Sequence, residues 1–185
     1  MGEFASGIHV YKGNKDQIIH MIPAFIQGRN YIACEGDDYD RAVAIIEAGE
    51  WVSVFDSDFD ESFNECFSRQ IDAHCVAINL VDGDCLEAIL WKKGRRVNTY
   101  ISDPDYLELR RTKSNCGNAL RWKPVTKDID NLQSVFDSED DATAKLYYFS
   151  EVLGIQNRFS QMHYGIIDEI DDVDITYIKF REFRM

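Results

Sequence analysis

Residues 75–101 constrain the fold most. They hold three runs of alternating apolar side chains, 75–81, 85–91 and 95–101, separated by Asp82-Gly83-Asp84 and by Lys93-Gly94. A period of two is the pattern of a strand with one face on a core, and tight glycine-bearing turns make successive strands antiparallel. The expected product is a three-stranded meander. A two-residue turn at Asp82-Gly83 would send Val76, Ile78 and Leu80 to the wrong face. A three-residue turn sets them opposite Leu90, Ala88 and Leu86, so burial selects the longer turn. The two-residue turn at Lys93-Gly94 then places Leu90 opposite Val97 and Leu86 opposite Ile101.

Helices and further strands flank this unit. Residues 8–12, 31–34, 42–47 and 51–55 read as strands, the last with clean alternation. Asn14 and Gln17 open a helix with Ile18, Ile22, Phe25 and Ile26 on one stripe, Pro23 as a kink or early end, and Gly28 as its stop. A second helix carries Phe59, Phe63, Cys66, Phe67 and Gln70 after a cap at Asp56 to Asp58. Residues 103–127 read as a long surface connection. Residues 129–136 form a short helix, and Ser138 with Asp141 opens a longer one that Gly154 ends. Residues 162–167 and 175–183 read as two terminal strands. The expected fold is α+β: a mixed or antiparallel sheet with helices on one face. Residues 1–127 make an α+β core, and residues 128–185 add a helix and two strands to the same domain. Glu3-Phe4 is also what a common cloning site encodes in frame, which marks Met1 to Gly7 as a candidate vector-derived tail.

Charge is distributed in blocks. Residues 1–90 carry five Lys/Arg against 17 Asp/Glu, residues 91–127 carry ten against three, and residues 128–185 carry five against 13, for a net charge of −13. A negative field of this size repels nucleic acid and anionic lipid, so neither is an expected general partner. No apolar run reaches the roughly 20 residues of a membrane span, and the first residues do not resemble a secretory signal. The five cysteines, Cys34, Cys66, Cys75, Cys85 and Cys116, lack metal-site spacing. They read as free thiols in a cytoplasmic protein.

Catalytic patterns are missing from the sequence. It holds no phosphate-binding or dinucleotide loop, no nucleophile elbow and no zinc helix. Asp56-Ser-Asp58-Phe-Asp60-Glu61 begins like a calcium loop, but Glu61 stands where that loop needs glycine and Phe67 where it needs glutamate. His74 and Cys75 are adjacent, so in a strand they face opposite ways and form no dyad. No catalytic residue, metal or cofactor is assigned, and the chain reads as a binding protein more than an enzyme. A hydrolytic pair drawn from Glu35, Asp37, Asp56 and Asp58 is the enzymatic alternative. The candidate partner-binding residues are Asp37, Asp38, Asp40, Asp56, Asp58, Asp60 and Glu61. The alternative is an anion site of Lys92, Lys93, Arg95, Arg96, Arg110 and Arg111, extended by Lys113, Arg121 and Lys123 and interleaved with Tyr100, Tyr106 and Trp122. Against it stands internal pairing of those cations with the acidic rest of the chain.

Four segments carry a resemblance: Trp51-Val-Ser-Val-Phe-Asp56, Asp82-Gly83-Asp84, Asn98-Thr-Tyr-Ile-Ser-Asp103-Pro104 and Leu153-Gly154-Ile155. Together they make about half the chain similar to a poorly characterised family of small acidic bacterial cytosolic proteins. In size, acidity and architecture the chain also resembles the immunity proteins that neutralise bacterial toxins. The resemblance includes no catalytic signature. It implies a cytoplasmic inhibitor whose partner is a basic toxin domain such as a nuclease; the alternative is a small enzyme or ligand-binding domain using scattered carboxylates or the basic segment 92–123.

Overall fold

The computed structural model describes residues 3–27, 30–58, 61–126 and 128–183. The meander is β5 (His74–Val81), β6 (Cys85–Lys92) and β7 (Arg95–Ile101). Its first turn has three residues, so Val76 pairs with Leu90, Ile78 with Ala88 and Leu80 with Leu86. Asp82 and Gly83 take positive φ, 53° and 75°, as a turn this tight requires.

The second hairpin corrects the expected register. Lys92 pairs with Arg95 and Trp91 with Arg96, but a bulge then sets Leu90 opposite Asn98 and Glu87 opposite Ile101. Val97 is the extra residue. The physical reason is polar. Asn98 Oδ1 accepts from the indole N–H of Trp122 at 2.8 Å and from the Asn118 amide at 2.9 Å, and Trp122 is fully buried. Six of the eight expected core residues share one cluster. Val97 packs on its margin, and Ile101 is buried on the face it shares with Glu87.

β1 (Ala5–Tyr11), β2 (Tyr31–Cys34), β3 (Arg41–Ala48), β4 (Trp51–Asp56) and β8 (Ile175–Glu182) complete one eight-stranded sheet. Its order is β2-β8-β3-β4-β1-β5-β6-β7, antiparallel at every pairing. Ala5, Ser6 and Gly7 pair with Leu80, Asn79 and Ile78, so they belong to the sheet and not to a tail.

The helices cover both faces of the sheet, not one. α1 (Lys15–Gln27) and α2 (Glu61–Gln70) pack on one face, with Ile18, Ile22, Phe63 and Phe67 against Val43, Ile45, Val52 and Ile89. α3 (Ile129–Asp137), α4 (Ala142–Leu153) and Trp122 cover the other face at β5 and β6. α5 (Asn157–Ser160) and residues 162–167 cover that face at β3 and β4. β4 shows the consequence, since all six of its residues are buried. The strict alternation expected there fails because both of its faces are covered.

Asn14 caps α1 as expected, its Oδ1 accepting from the Gln17 amide at 2.8 Å. The helix runs through Pro23 because Ile18, Ile22 and Ile26 anchor it on both sides. Gly28 and Phe59 lie outside the described residues. Asp141, not Ser138, caps α4, and Gly154 ends it at φ 71°. The expected strand at 162–167 is a correction: Tyr164–Glu169 is a 3₁₀ helix whose first turn is fixed by His163 Nδ1 accepting from the Gly165 amide. The C-terminal segment therefore supplies one strand, β8, which lies between β2 and β3. All five cysteines are free thiols.

Candidate functional site

β2 and β3 are neighbours in sequence but flank β8, so residues 35–40 must cross over it. Strand alternation puts Lys179 and Arg181 on the face being crossed and Phe180 on the other, in the α1 cluster. The two cations strap the loop down. Lys179 Nζ donates to Asp37 Oδ1 and to the Gly36 carbonyl, each at 3.0 Å. Arg181 donates to both the carboxylate and the carbonyl of Asp38 at 2.7 Å, and the Asp40 carboxylate accepts from the Glu182 amide at 2.8 Å. The loop's shape is thus set by its own charges.

Tyr39 stands at the middle of this crossing. Its ring lies 5.0 Å from the Lys179 ammonium, and its hydroxyl meets that of Tyr164 at 3.4 Å. Tyr177, on the same face of β8 as Lys179, donates to the Asp168 carboxylate. Burial, then the hydrogen bonds, push the Tyr164 and Tyr177 phenols up, so both stay protonated. The result is a tyrosine cluster that meets the Asp168 carboxylate and the acidic crossing of residues 35–40, with the exposed Glu169, Asp171 and Asp172 following Asp168 in the chain before β8. Periodicity gives no sign of this cluster, because Tyr39, Tyr164 and Tyr177 come from three distant segments. The alternation of Lys179, Phe180 and Arg181 was its one readable trace.

Asp56 and Asp58 do not belong to this surface. Asp56 ends β4, and its side chain is 2% exposed. It accepts from Nε of the equally buried Arg41 at 2.9 Å and also from Nη2. Arg41 reaches Asp58 at 3.3 Å and sits 5.5 Å from the Tyr31 ring. Arg41 pairs with Phe180 across the ladder, which places it on the face opposite Lys179. Burial pushes the Asp56 carboxyl up, and the Arg41 bonds offset that in part. Two expectations fall here. Asp56 is a buried counter-ion, neither a helix cap nor a partner-binding group. Asp56 and Asp58 also cannot pair with Glu35 and Asp37 for hydrolysis, since the two sets meet β8 from opposite sides. Asp60 and the Glu61 side chain lie outside what is described.

The basic segment divides as well. Lys92 and Lys93 both reach the Asp72 carboxylate at 3.2 Å, the internal pairing weighed against an anion site. Arg111 donates to the Ser102 carbonyl at 2.9 Å. Tyr100 and Trp122 are core residues, and Tyr106 donates to Asp82 at 3.0 Å. Of the six expected anion-binding residues, only Arg96 lines a cleft of about 610 Å³ beside β7. Lys113 and Arg121 join it there, while Lys92, Lys93, Arg95, Arg110 and Arg111 do not.

Two candidate nucleophile arrangements, His9 with Ser53 and Cys75, are closed off by burial. His9 Nδ1 and Ser53 Oγ lie 2.8 Å apart, but both residues are 1% exposed, and burial lowers the imidazole to about 3. Cys75 is fully buried and its thiol is pushed up to about 12, so it is not a thiolate at neutral pH. Among the described residues no group of three His, Cys, Asp or Glu side chains could hold a metal ion, and no helix is long and apolar enough to cross a membrane. No protein-family model matches the chain, and no curated protein or solved structure is significantly similar to it.

Proposed function

We propose that the chain is a non-enzymatic interaction protein whose β2–β8 face docks a basic protein, and that it acts as an immunity or inhibitor protein against a basic bacterial toxin domain. The observation that supports this is the Tyr39, Tyr164 and Tyr177 cluster within an acidic rim. Tyrosines at the centre with charge at the edge is the anatomy of a protein interface. The aromatic rings supply contact area at small entropic cost, and the rim steers the partner. Lys179 and Arg181 are bonded to Asp37 and Asp38, and Glu35 with the carboxylates preceding β8 outnumbers these two cations.

The test begins with affinity capture from the native host and identification of the partner by mass spectrometry. Association and dissociation rates are then measured for Glu35→Lys, Asp171→Lys, Asp172→Lys and Tyr39→Ala. Each charge reversal should slow association, and the effect should fade with salt because the field is screened over about 10 Å at 0.1 M. Tyr39→Ala should speed dissociation instead. Unchanged rates across the series would end this reading. A loss of turnover confined to one or two carboxylates would favour the enzymatic alternative.

A further inference from the structure

The cleft beside β7 lies at the opposite end of the sheet from the acidic face. Its walls are β7 and the segment 109–121, and several bonds hold that segment in place. The Ile101 amide donates to the Asn115 carbonyl at 2.8 Å and the Gly117 amide to the Thr99 carbonyl at 3.1 Å, while Tyr100 and Cys116 form an isolated bridge. Asn115, largely buried, accepts from the Thr112 amide and donates to the Arg110 carbonyl. Asn98 closes the far corner through Asn118 and Trp122. The concavity is therefore preformed, and about 610 Å³ is the size of a small-molecule site.

Its charge runs against the rest of the molecule. Arg96, Lys113 and Arg121 line the cleft with one carboxylate, Glu87. Eight of the other cations, Lys12, Lys15, Arg41, Arg69, Lys92, Lys93, Lys179 and Arg181, each have a carboxylate within 4 Å. Among the described residues neither Lys113 nor Arg121 has one. In a chain with 33 acidic side chains and 20 Lys/Arg, two uncompensated cations beside one cleft are an attractive local potential within a repulsive one. Thr99, Ser114 and Asn118 add neutral hydrogen-bonding groups, and Leu109, 46% exposed, adds an apolar wall.

We propose that this cleft binds a phosphate-bearing small molecule of mononucleotide size, with Arg96, Lys113 and Arg121 facing the phosphates and Leu109 against the remainder. Guanidinium groups suit phosphate because their fork of donors matches its oxygens two at a time. A long nucleic acid is disfavoured because its backbone would extend into the negative field of the molecule, whereas a short ligand stays within about one screening length of the three cations.

The full chain is titrated by calorimetry with ADP, inorganic pyrophosphate and adenosine, and amide shifts are followed by NMR. ADP should bind and adenosine should not, with shifts at Asn98, Thr99 and Ser114. Pyrophosphate binding as tightly as ADP assigns the recognition to the phosphates alone, and weaker binding assigns a share to the apolar wall. The pair Lys113→Glu and Arg121→Glu should weaken ADP at least about tenfold. Lys92→Glu, at the hairpin tip, should leave affinity unchanged. Arg121→Lys in place of the reversal keeps the charge but loses the fork, so its ADP affinity should fall between those of the wild type and the reversal, and matching circular dichroism guards against misfolding. The proposal is overturned by silence at those amides with both phosphate probes, by equal affinity in the double variant, or by adenosine binding as tightly as ADP. It is also overturned if a single-stranded oligonucleotide binds through these residues while ADP does not. None of these results bears on the acidic face, seven strand spacings away.

Discussion

His9 shows how much a single side chain can stake on its surroundings. The ring is 1% exposed, Nδ1 has Ser53 as its partner, and Nε2 has none. Burial disfavours the imidazolium, so the folded-state value falls from 6.5 to about 3. Between those values the unfolded chain binds one more proton here than the folded chain, so stability falls as pH falls, by about 1.4 kcal/mol per pH unit from this group. Above pH 6.5 the contribution is complete and flat. Urea unfolding of the wild type and of His9→Gln at pH 7, 5.5 and 4.5 checks this. Every other titrating group is common to both proteins, so the difference between them should shrink as pH drops. A constant difference would mean that the ring is charged, or accessible, in the folded protein. Arg41 and Asp56 are the buried alternative, a charge kept by pairing instead of a charge given up. Removing either partner of such a pair leaves the other isolated in a dry site.

At the scale of elements, the two meander turns separate what local sequence can specify from what it cannot. Asp82-Gly83-Asp84 is readable because Val76, Ile78 and Leu80 have one buried face to find, and only one turn length delivers them to it. Lys93-Gly94 is equally readable as a turn, and Lys92 does pair with Arg95. The bulge a few residues later is not readable, because its cause is Trp122, 24 positions away, which needs an acceptor for its indole N–H. Local periodicity cannot report such a demand. The same limit hid the burial of Trp122 within a stretch that reads as surface connection, and the 3₁₀ helix at Tyr164–Glu169. Asn98→Ala is the corresponding test. It removes the acceptor from a fully buried donor and frees the Asn118 amide, and an unmade buried bond costs about 1–3 kcal/mol. Chemical denaturation should show that loss, and Asn98→Asp, which keeps the acceptor oxygen, should recover part of it. If Asn98→Ala is neutral, the bulge is held by packing alone.

Across the whole molecule the eight-stranded sheet separates two poles, the acidic tyrosine face at β2–β8 and the cationic cleft at β7, roughly 30 Å apart by strand spacing. The sequence shows the charge blocks that become these poles, but not which acids neutralise themselves. Asp37 and Asp38 are spent on β8, Asp56 on Arg41, and the cluster around Tyr39 exists only after residue 177 joins residue 39. That dependence predicts an order of assembly. β5, β6 and β7 are successive hairpins with short turns, so their contacts close small loops. β8 must insert between β2 and β3 across more than 120 residues of intervening chain, with the 35–40 crossing strapped over it. Loop-closure entropy therefore favours the meander first and β8 late. Leu90 and Phe180 are both fully buried and report on the two events. Leu90→Ala should cost about 2–5 kcal/mol and Phe180→Ala about 3–5. Stopped-flow folding in urea should divide these costs differently. Leu90→Ala should slow folding, with a φ-value of about 0.5–0.8, and Phe180→Ala should mainly speed unfolding, with a φ-value of about 0–0.3. A high φ-value at Phe180 would place the β2–β8–β3 insertion in the nucleus, and the last strand of the chain would then organise the fold instead of closing it.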